Sequence, residues 1–159
     1  MKGKKLTHTD EAGNPHMVDV SEKNNSKRVA KARGTVILGK SILKLIKNQE
    51  LQTKKGPVFQ TAIIAGVMAA KRTSELIPLA HPIGIEDCQI TIEPKSDRVI
   101  IQSSVSITSK TGVEMEALTA VSIAALTIYD MCKALSHDIS ITDIQLVEKT
   151  GGKKDFKRS

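Results

Sequence analysis

Aromatic side chains are almost missing from this chain: 2% of 159 residues, with no Trp, one Tyr and two Phe. Proteins that hold single-stranded nucleic acid without sequence preference stack its bases on aromatic rings. Only Phe59, Phe156 and Tyr129 are on offer for that, so a sheet that reads RNA through aromatics is disfavoured. Cysteine is scarce too. Cys88 and Cys132 stand apart with no C-x-x-C spacing. They read as small buried hydrophobes in a reducing compartment, and nothing demands a disulfide between them. The four histidines, His8, His16, His81 and His137, form no H-x-x-x-H or His/Cys cluster, which argues against zinc and leaves no metal site to name. Long apolar runs are also absent. The longest, Ala117 to Ile128, is interrupted by Thr119, Ser122 and Thr127 and reads as a buried core helix rather than a membrane span. Met1–Lys5 is basic, but polar His8–Glu11 follows where a secretory signal needs an apolar core. These absences point to a cytoplasmic protein with no membrane partner.

What is present is positive charge. Lys and Arg number 24 against 17 Asp and Glu, a net charge of +7. Such a protein attracts polyanions: nucleic acid, anionic membrane or phosphorylated metabolites. A phosphate-rich small molecule fits the charge without needing aromatics. The length is that of one domain. Residues 1–26 read as a polar, flexible arm, 27–150 as a single α+β domain and 151–159 as a basic tail, with no internal repeat.

Periodicity sets the elements. Arg28 to Leu38 reads as a first strand. Ser41 is suited to cap a helix carrying Ile42, Leu43, Leu45 and Ile46. Pro57 suits the first turn of a second helix, which carries Phe59, Ile63, Ile64, Val67 and Met68 to about Leu76. Cys88, Ile90 and Ile92 alternate, as do Val99, Ile101, Ser103, Val105 and Ile107, with Pro94–Asp97 as the hairpin turn between two strands. Thr111 to Leu135 reads as the longest helix, with Leu118, Val121, Ala125, Ile128, Cys132 and Leu135 in one stripe. Ile139 to Val147 is the last strand. The order β-α-α-β-β-α-β fits an α+β, ferredoxin-like plait: an antiparallel sheet with helices packed on one face.

Four groups of residues could carry chemistry, each with a bland counterpart. Thr111 and Glu114 fit a capping box, yet Glu114, Met115 and Glu116 beside Gly112 could instead hold a polar ligand. Asp130 and Lys133, three apart on a helix, face the same side, with His137 extending the row. They are either a surface ion pair or a general acid/base pair, the latter requiring burial or a nearby cation to lower the lysine's pKa. His81, bracketed by Pro78 and Pro82, is either structural or a positioned imidazole. Lysines near glycines, at Lys54-Lys55-Gly56, Lys71-Arg72 and Lys149–Lys153, are either a solvated basic face or phosphate ligands. No full Walker or dinucleotide fingerprint is present.

Helix length limits how these combine. At 1.5 Å per residue, Glu116 and Asp130 lie about 21 Å apart along one straight helix, whereas reacting atoms must approach to about 3–3.5 Å. Either one end works alone, or two chains pack the helix antiparallel about a twofold axis and combine opposite ends. The residues Ala117, Ala120, Ala124 and Ala125 would permit such close pairing.

Met17–Ser21, Lys71–Thr73, Leu76–Pro82, Thr111–Ala120, Leu126–Ala134 and Lys149–Lys153 occur in an order that resembles the molybdenum cofactor biosynthesis protein C family, the cyclic pyranopterin monophosphate synthases. The resemblance spans Leu6 to Phe156. It implies a lyase of molybdenum cofactor biosynthesis. Its substrate would be a cyclic GTP-derived triphosphate, 3',8-cyclo-7,8-dihydroguanosine 5'-triphosphate, rearranged with release of diphosphate. It also implies a ferredoxin-like fold in a homo-oligomer, a hexamer built as a trimer of dimers with sites at the dimer interface. Residue by residue, it gives Asp130, Lys133 and Lys55 catalytic positions. Leu79, Ala80, His81, Met115 and Glu116 fall in substrate-binding segments, and Glu114, Lys71 and Lys149 are further pocket positions. No cofactor is required, and Mg²⁺ is left open. This chain departs from the family at Ala80, where many relatives carry Cys, and at Pro57, where an acidic residue is common. It departs again at Lys154-Asp155, where the tail often continues Ser-Gly. The competing readings are a non-catalytic nucleotide- or RNA-binding module on the same plait, and a structural scaffold.

Overall fold

The clearest alternation in the sequence builds the centre of the sheet. The computed structural model describes residues 9–10 and 12–159; the first eight residues of the expected arm, with its basic start and His8, lie outside the described residues. Strand β5 (Arg98–Ser109) turns Val99, Ile101, Ser103, Val105 and Ile107 inward, all of them buried. It pairs on one side with β4 (Asp87–Pro94) across the Pro94–Asp97 turn, and on the other with β1 (Ser26–Ile37), both antiparallel. β6 (Ser140–Thr150) lies antiparallel to the far edge of β1, and a two-residue β7 (Phe156–Lys157) adds to β6. The order is therefore β4-β5-β1-β6-β7. A small second sheet pairs β2 (Gln52–Thr53) with β3 (Gly56–Pro57).

Helices cover one face of this sheet. α4 (Glu114–Cys132) packs across β1, β5 and β6, and α2 (Val58–Lys71) lies beside α4 and against β4. Small residues set the spacing. A Cβ on Gly34 would approach Val121 Cγ1 to 2.6 Å, and one on Gly66 would approach the Ala120 carbonyl oxygen to 2.8 Å. Ala117, Ala120, Ala124 and Ala125 are all fully buried, so the alanines serve packing within the chain. By length and composition α4 could cross a membrane, but ten of its residues are buried in the core. It is the central core helix.

Several element boundaries differ from expectation. The first helix, α1, is only Lys40–Leu43; Gly39, at φ 81, stands at its N-cap and Ser41 lies inside, making no cap. Asn48 and Gln49, both left-handed, then reverse the chain between Lys47 and Glu50, so Leu45 and Ile46 do not continue a helix. The second helix stops at Lys71; after Arg72 a separate turn, α3 (Thr73–Leu76), follows. Pro57 stands just outside α2, at its N-cap. α4 is shorter at both ends than Thr111–Leu135, and Leu135 is exposed.

Candidate functional site

The first turn of α4 opens into a cavity. Val113, not Thr111, is the N-cap residue, and it makes no side-chain cap hydrogen bond. Glu114 does not fold back as a capping box requires. Its Oε1 accepts a hydrogen bond from Lys149 Nζ on β6 at 2.9 Å. Gly112 leaves room for that carboxylate, because a Cβ there would lie 1.9 Å from Glu114 Oε2. Two residues on, Glu116 is only 3% exposed. Burial, reinforced by the like charge of Glu114, pushes its carboxyl up to about 6.

The cavity above these carboxylates has a volume of about 610 Å³ and is lined by Leu79, Ala80, His81, Glu114, Met115, Glu116 and Lys149 among others. Those seven residues were expected at the site, and the fold brings them together. An adjoining recess of about 230 Å³ carries Lys23, Arg28, Lys110, Lys149 and Lys153 against the single carboxylate of Glu114. This is where much of the excess positive charge goes. Lys23, Arg28 and Lys110 were not among the expected site residues. They come from the pre-β1 segment, the start of β1 and the turn just after β5, and only tertiary structure gathers them.

The segment before β1 forms one wall. Val18, Asp19, Val20 and Lys23 line the larger cavity. His81 Nε2 lies 2.8 Å from the Val18 carbonyl oxygen. A carbonyl can only accept, so Nε2 carries the proton and Nδ1 is left as the second ring nitrogen. Lys110 Nζ donates to the Ser21 carbonyl at 2.7 Å. His81 is thus a positioned imidazole, and its signal in the sequence was the pair of flanking prolines. The family resemblance includes Met17–Ser21 but assigns that run no role.

The other end of α4 holds a different cluster. Asp130 Oδ1 pairs with Lys133 Nζ at 2.7 Å, and Oδ2 with Lys55 Nζ at 2.7 Å. Lys55 Nζ also donates to the Asp130 carbonyl at 3.0 Å. The hydrogen bond from Lys133, then that from Lys55, hold the Asp130 carboxyl down at about 2. The same Asp130 bond raises the Lys133 amine above its ordinary value. Of the two readings open for Asp130 and Lys133, the geometry gives the ion pair, and the lowering that a neutral lysine base requires does not occur. The Lys133 side chain is 55% exposed and paired with a carboxylate, so it stays an ammonium, suited to donate a proton or hold an anion. His137 is exposed beyond the end of α4 and does not extend the row. Tyr129, packed against the core, accepts the Lys133 backbone N–H at 2.8 Å.

The two clusters do not meet within one chain. Asp130, Lys133 and Lys55 line neither the larger cavity nor the basic recess. Asp130 sits fourteen residues beyond Glu116 on α4, about 21 Å along the axis. Lys71, the last residue of α2, is exposed and also lines neither space. Among the described residues no three His, Cys, Asp or Glu side chains come close enough to hold a metal ion. Cys88 and Cys132 are both free thiols.

A family model described as MoaC family matches residues 17–152. Cyclic pyranopterin monophosphate synthase 3 of Mycobacterium tuberculosis is 53% identical over 154 residues, covering 96% of this chain and 86% of that protein. Cyclic pyranopterin monophosphate synthase of Heliobacterium modesticaldum is 52% identical over 150 residues, 93% of each chain. Molybdenum cofactor biosynthesis protein 1 of Drosophila melanogaster is 50% identical over 155 residues, which make up 96% of this chain and 27% of the fly protein.

Proposed function

This chain belongs to the MoaC family, and on that premise we propose that it makes cyclic pyranopterin monophosphate in molybdenum cofactor biosynthesis. It acts as a diphosphate-releasing lyase on a cyclic dihydro-GTP triphosphate. The observation that carries the reading is the union of a cavity floored by Glu114 and Glu116 with a recess holding Lys23, Arg28, Lys110, Lys149 and Lys153. One side accepts N–H groups of a pterin-like base; the other neutralises a triphosphate. His81 contributes through Nδ1, because Val18 occupies Nε2. Glu116, titrating near 6, is close enough to neutrality to exchange a proton with bound substrate.

Lys55, Lys133 and Asp130 complete the site from a second chain. Their distance along α4 supports a twofold dimer in which opposite helix ends face one another, giving two equivalent sites. Ile64 and Met68 on α2 and Leu126 on α4 are large exposed hydrophobics, which favour a partner over this helical layer. In the assembly the two ammonium groups hold phosphate and donate protons, with Asp130 fixing their positions. We read the sheet, with β1 between β5 and β6 and crossovers through α2 and α4, as a ferredoxin-like plait. We read the assembly as a hexamer of three dimers and the compartment as cytoplasmic. The reading calls for no cofactor. Turnover in excess EDTA decides whether Mg²⁺ accompanies the triphosphate.

The direct test supplies the cyclic GTP-derived triphosphate and follows diphosphate and the pyranopterin product. Equal molar release of both is expected. Well-folded protein that binds the triphosphate without converting it would leave only a binding module, and a fully active monomer would remove the two-chain site.

A further inference from the structure

Helix α2 begins with a proline that cannot cap it. Pro57 stands at the N-cap with φ −69 and ψ 121, and no side chain of its own neighbourhood closes the first turn. The backbone is that of an ordinary N-cap residue, but Pro has no side-chain acceptor to aim at the free N–H groups. Those groups are nonetheless satisfied. Glu50, seven residues before Pro57 in the chain, accepts from Phe59 N at 2.8 Å with Oε1 and from Gln60 N at 3.1 Å with Oε2. Phe59 and Gln60 are the second and third residues of α2, the donors that a local Asp or Ser at the N-cap would engage.

The same carboxylate is tied to the loop that presents Lys55. Glu50 Oε1 also accepts from Leu51 N at 2.7 Å. Leu51 is fully buried, and its carbonyl accepts from Val58 N at 2.9 Å. Between Leu51 and Val58 the chain makes a tight hairpin, with Gln52 opposite Pro57 and Thr53 opposite Gly56. Lys55 stands at its tip, where its N–H donates to Thr53 Oγ1 at 3.2 Å. Glu50 itself is delivered by the left-handed pair Asn48 and Gln49. The base of the Lys55 hairpin and the start of α2 are thus fastened to one carboxylate.

We propose that Glu50 is the N-cap that α2 lacks at Pro57, and that through this cap it is a positioning residue for Lys55. The positioning half rests on the reading of Lys55 as a group that acts on substrate. A carboxylate also suits the positive end of the helix dipole, so the cap is both geometric and electrostatic.

The test uses the full chain in its native assembly, with Glu50→Ala, Pro57→Asp, the double variant and Lys55→Ala. Hydrogen exchange at Phe59 and Gln60 reads the cap, acylation rate of the Lys55 amine reads the hairpin, and steady-state kinetics read the reaction. Glu50→Ala is expected to lose protection at both amides and to speed Lys55 labelling. It should also lower kcat about tenfold to a hundredfold, the scale of a small misplacement of a reacting group, with KM changed less than about twofold. Pro57→Asp in the Glu50→Ala background restores the local acceptor. It is expected to bring protection, labelling rate and kcat back to within about twofold of the parent. Failure of that rescue, or lost protection with unchanged labelling and kcat, overturns the proposal. If Lys55→Ala turns over normally, the catalytic reading of Lys55 falls by itself, and protection and labelling still decide whether Glu50 caps the helix and holds the hairpin.

Discussion

The two ends of α4 carry carboxylates pushed in opposite directions. At the N-terminal end Glu116 is buried and its carboxyl rises to about 6, burial being the main cause. At the C-terminal end Asp130 is exposed and its carboxyl falls to about 2, held by Lys133 and Lys55. The helix dipole alone would favour an anion at the first site and disfavour it at the second. The observed directions are the reverse, so local desolvation outweighs the dipole at one end and ion pairing outweighs it at the other. The comparison separates two kinds of site. One is a half-open pocket shaped to bind, with a buried carboxyl that titrates near 6. The other is an open cluster of fixed charges awaiting a surface to act on.

If the ends are halves of one site, losing either should be equally severe. Lys133→Ala and Asp130→Asn are each expected to lower turnover by about 10²–10⁴-fold, the range for a positioned proton-transfer group, while sedimentation still gives the native assembly. Loss of assembly in both would reassign this end to structure. Next in size, Asp130→Asn and Glu116→Gln chains, each inactive alone, are refolded together at equal ratio. Pairing opposite helix ends across a twofold should restore about a quarter of the parental rate, since half of the dimers carry one intact site. No recovery would break the link between the two ends.

The ends should also differ in how pH acts on stability. Glu116 has a folded-state pKa raised from 4.5 to about 6. Its stabilising contribution is full below 4.5 and is lost as pH rises through 6, about 2 kcal/mol in all. Glu116→Gln should remove that slope, so its melting temperature relative to the parent improves between pH 4.5 and 7. Asp130 has the opposite sign: its contribution is present above 3.8 and is lost as pH falls towards 2. At pH 7 the exposed Asp130→Asn variant should melt close to the parent, the smallest effect of the set; a large drop would show this end is part of the core.

Much of this was legible where local pattern and tertiary packing agree. The alternation of Val99 to Ile107 is a strand because a half-buried sheet requires it, and the apolar run of α4 is central because nothing else could cover β1 and β5. Legibility failed where a distant partner outcompeted a local one. Glu114 had Thr111 within reach as a capping partner but meets Lys149, 35 residues away. Ser41 was a plausible cap displaced by the left-handed Gly39. The site split in the same way. Leu79, Ala80, His81, Glu114, Met115, Glu116 and Lys149, each named from the sequence, line one cavity. Lys23, Arg28 and Lys110 carry no local motif, and their place in the recess depends on how β1 and β5 are registered.

The near-absence of aromatics has one more use. The chain has a single tyrosine and no tryptophan, so its ultraviolet emission comes almost wholly from Tyr129. That residue directly precedes Asp130 and receives the Lys133 backbone N–H. The Asp130 end of α4 therefore carries an intrinsic optical probe, and the Glu116 end has none. A change in emission on mixing with the triphosphate would report, without any label, the moment at which the far half of the site is reached.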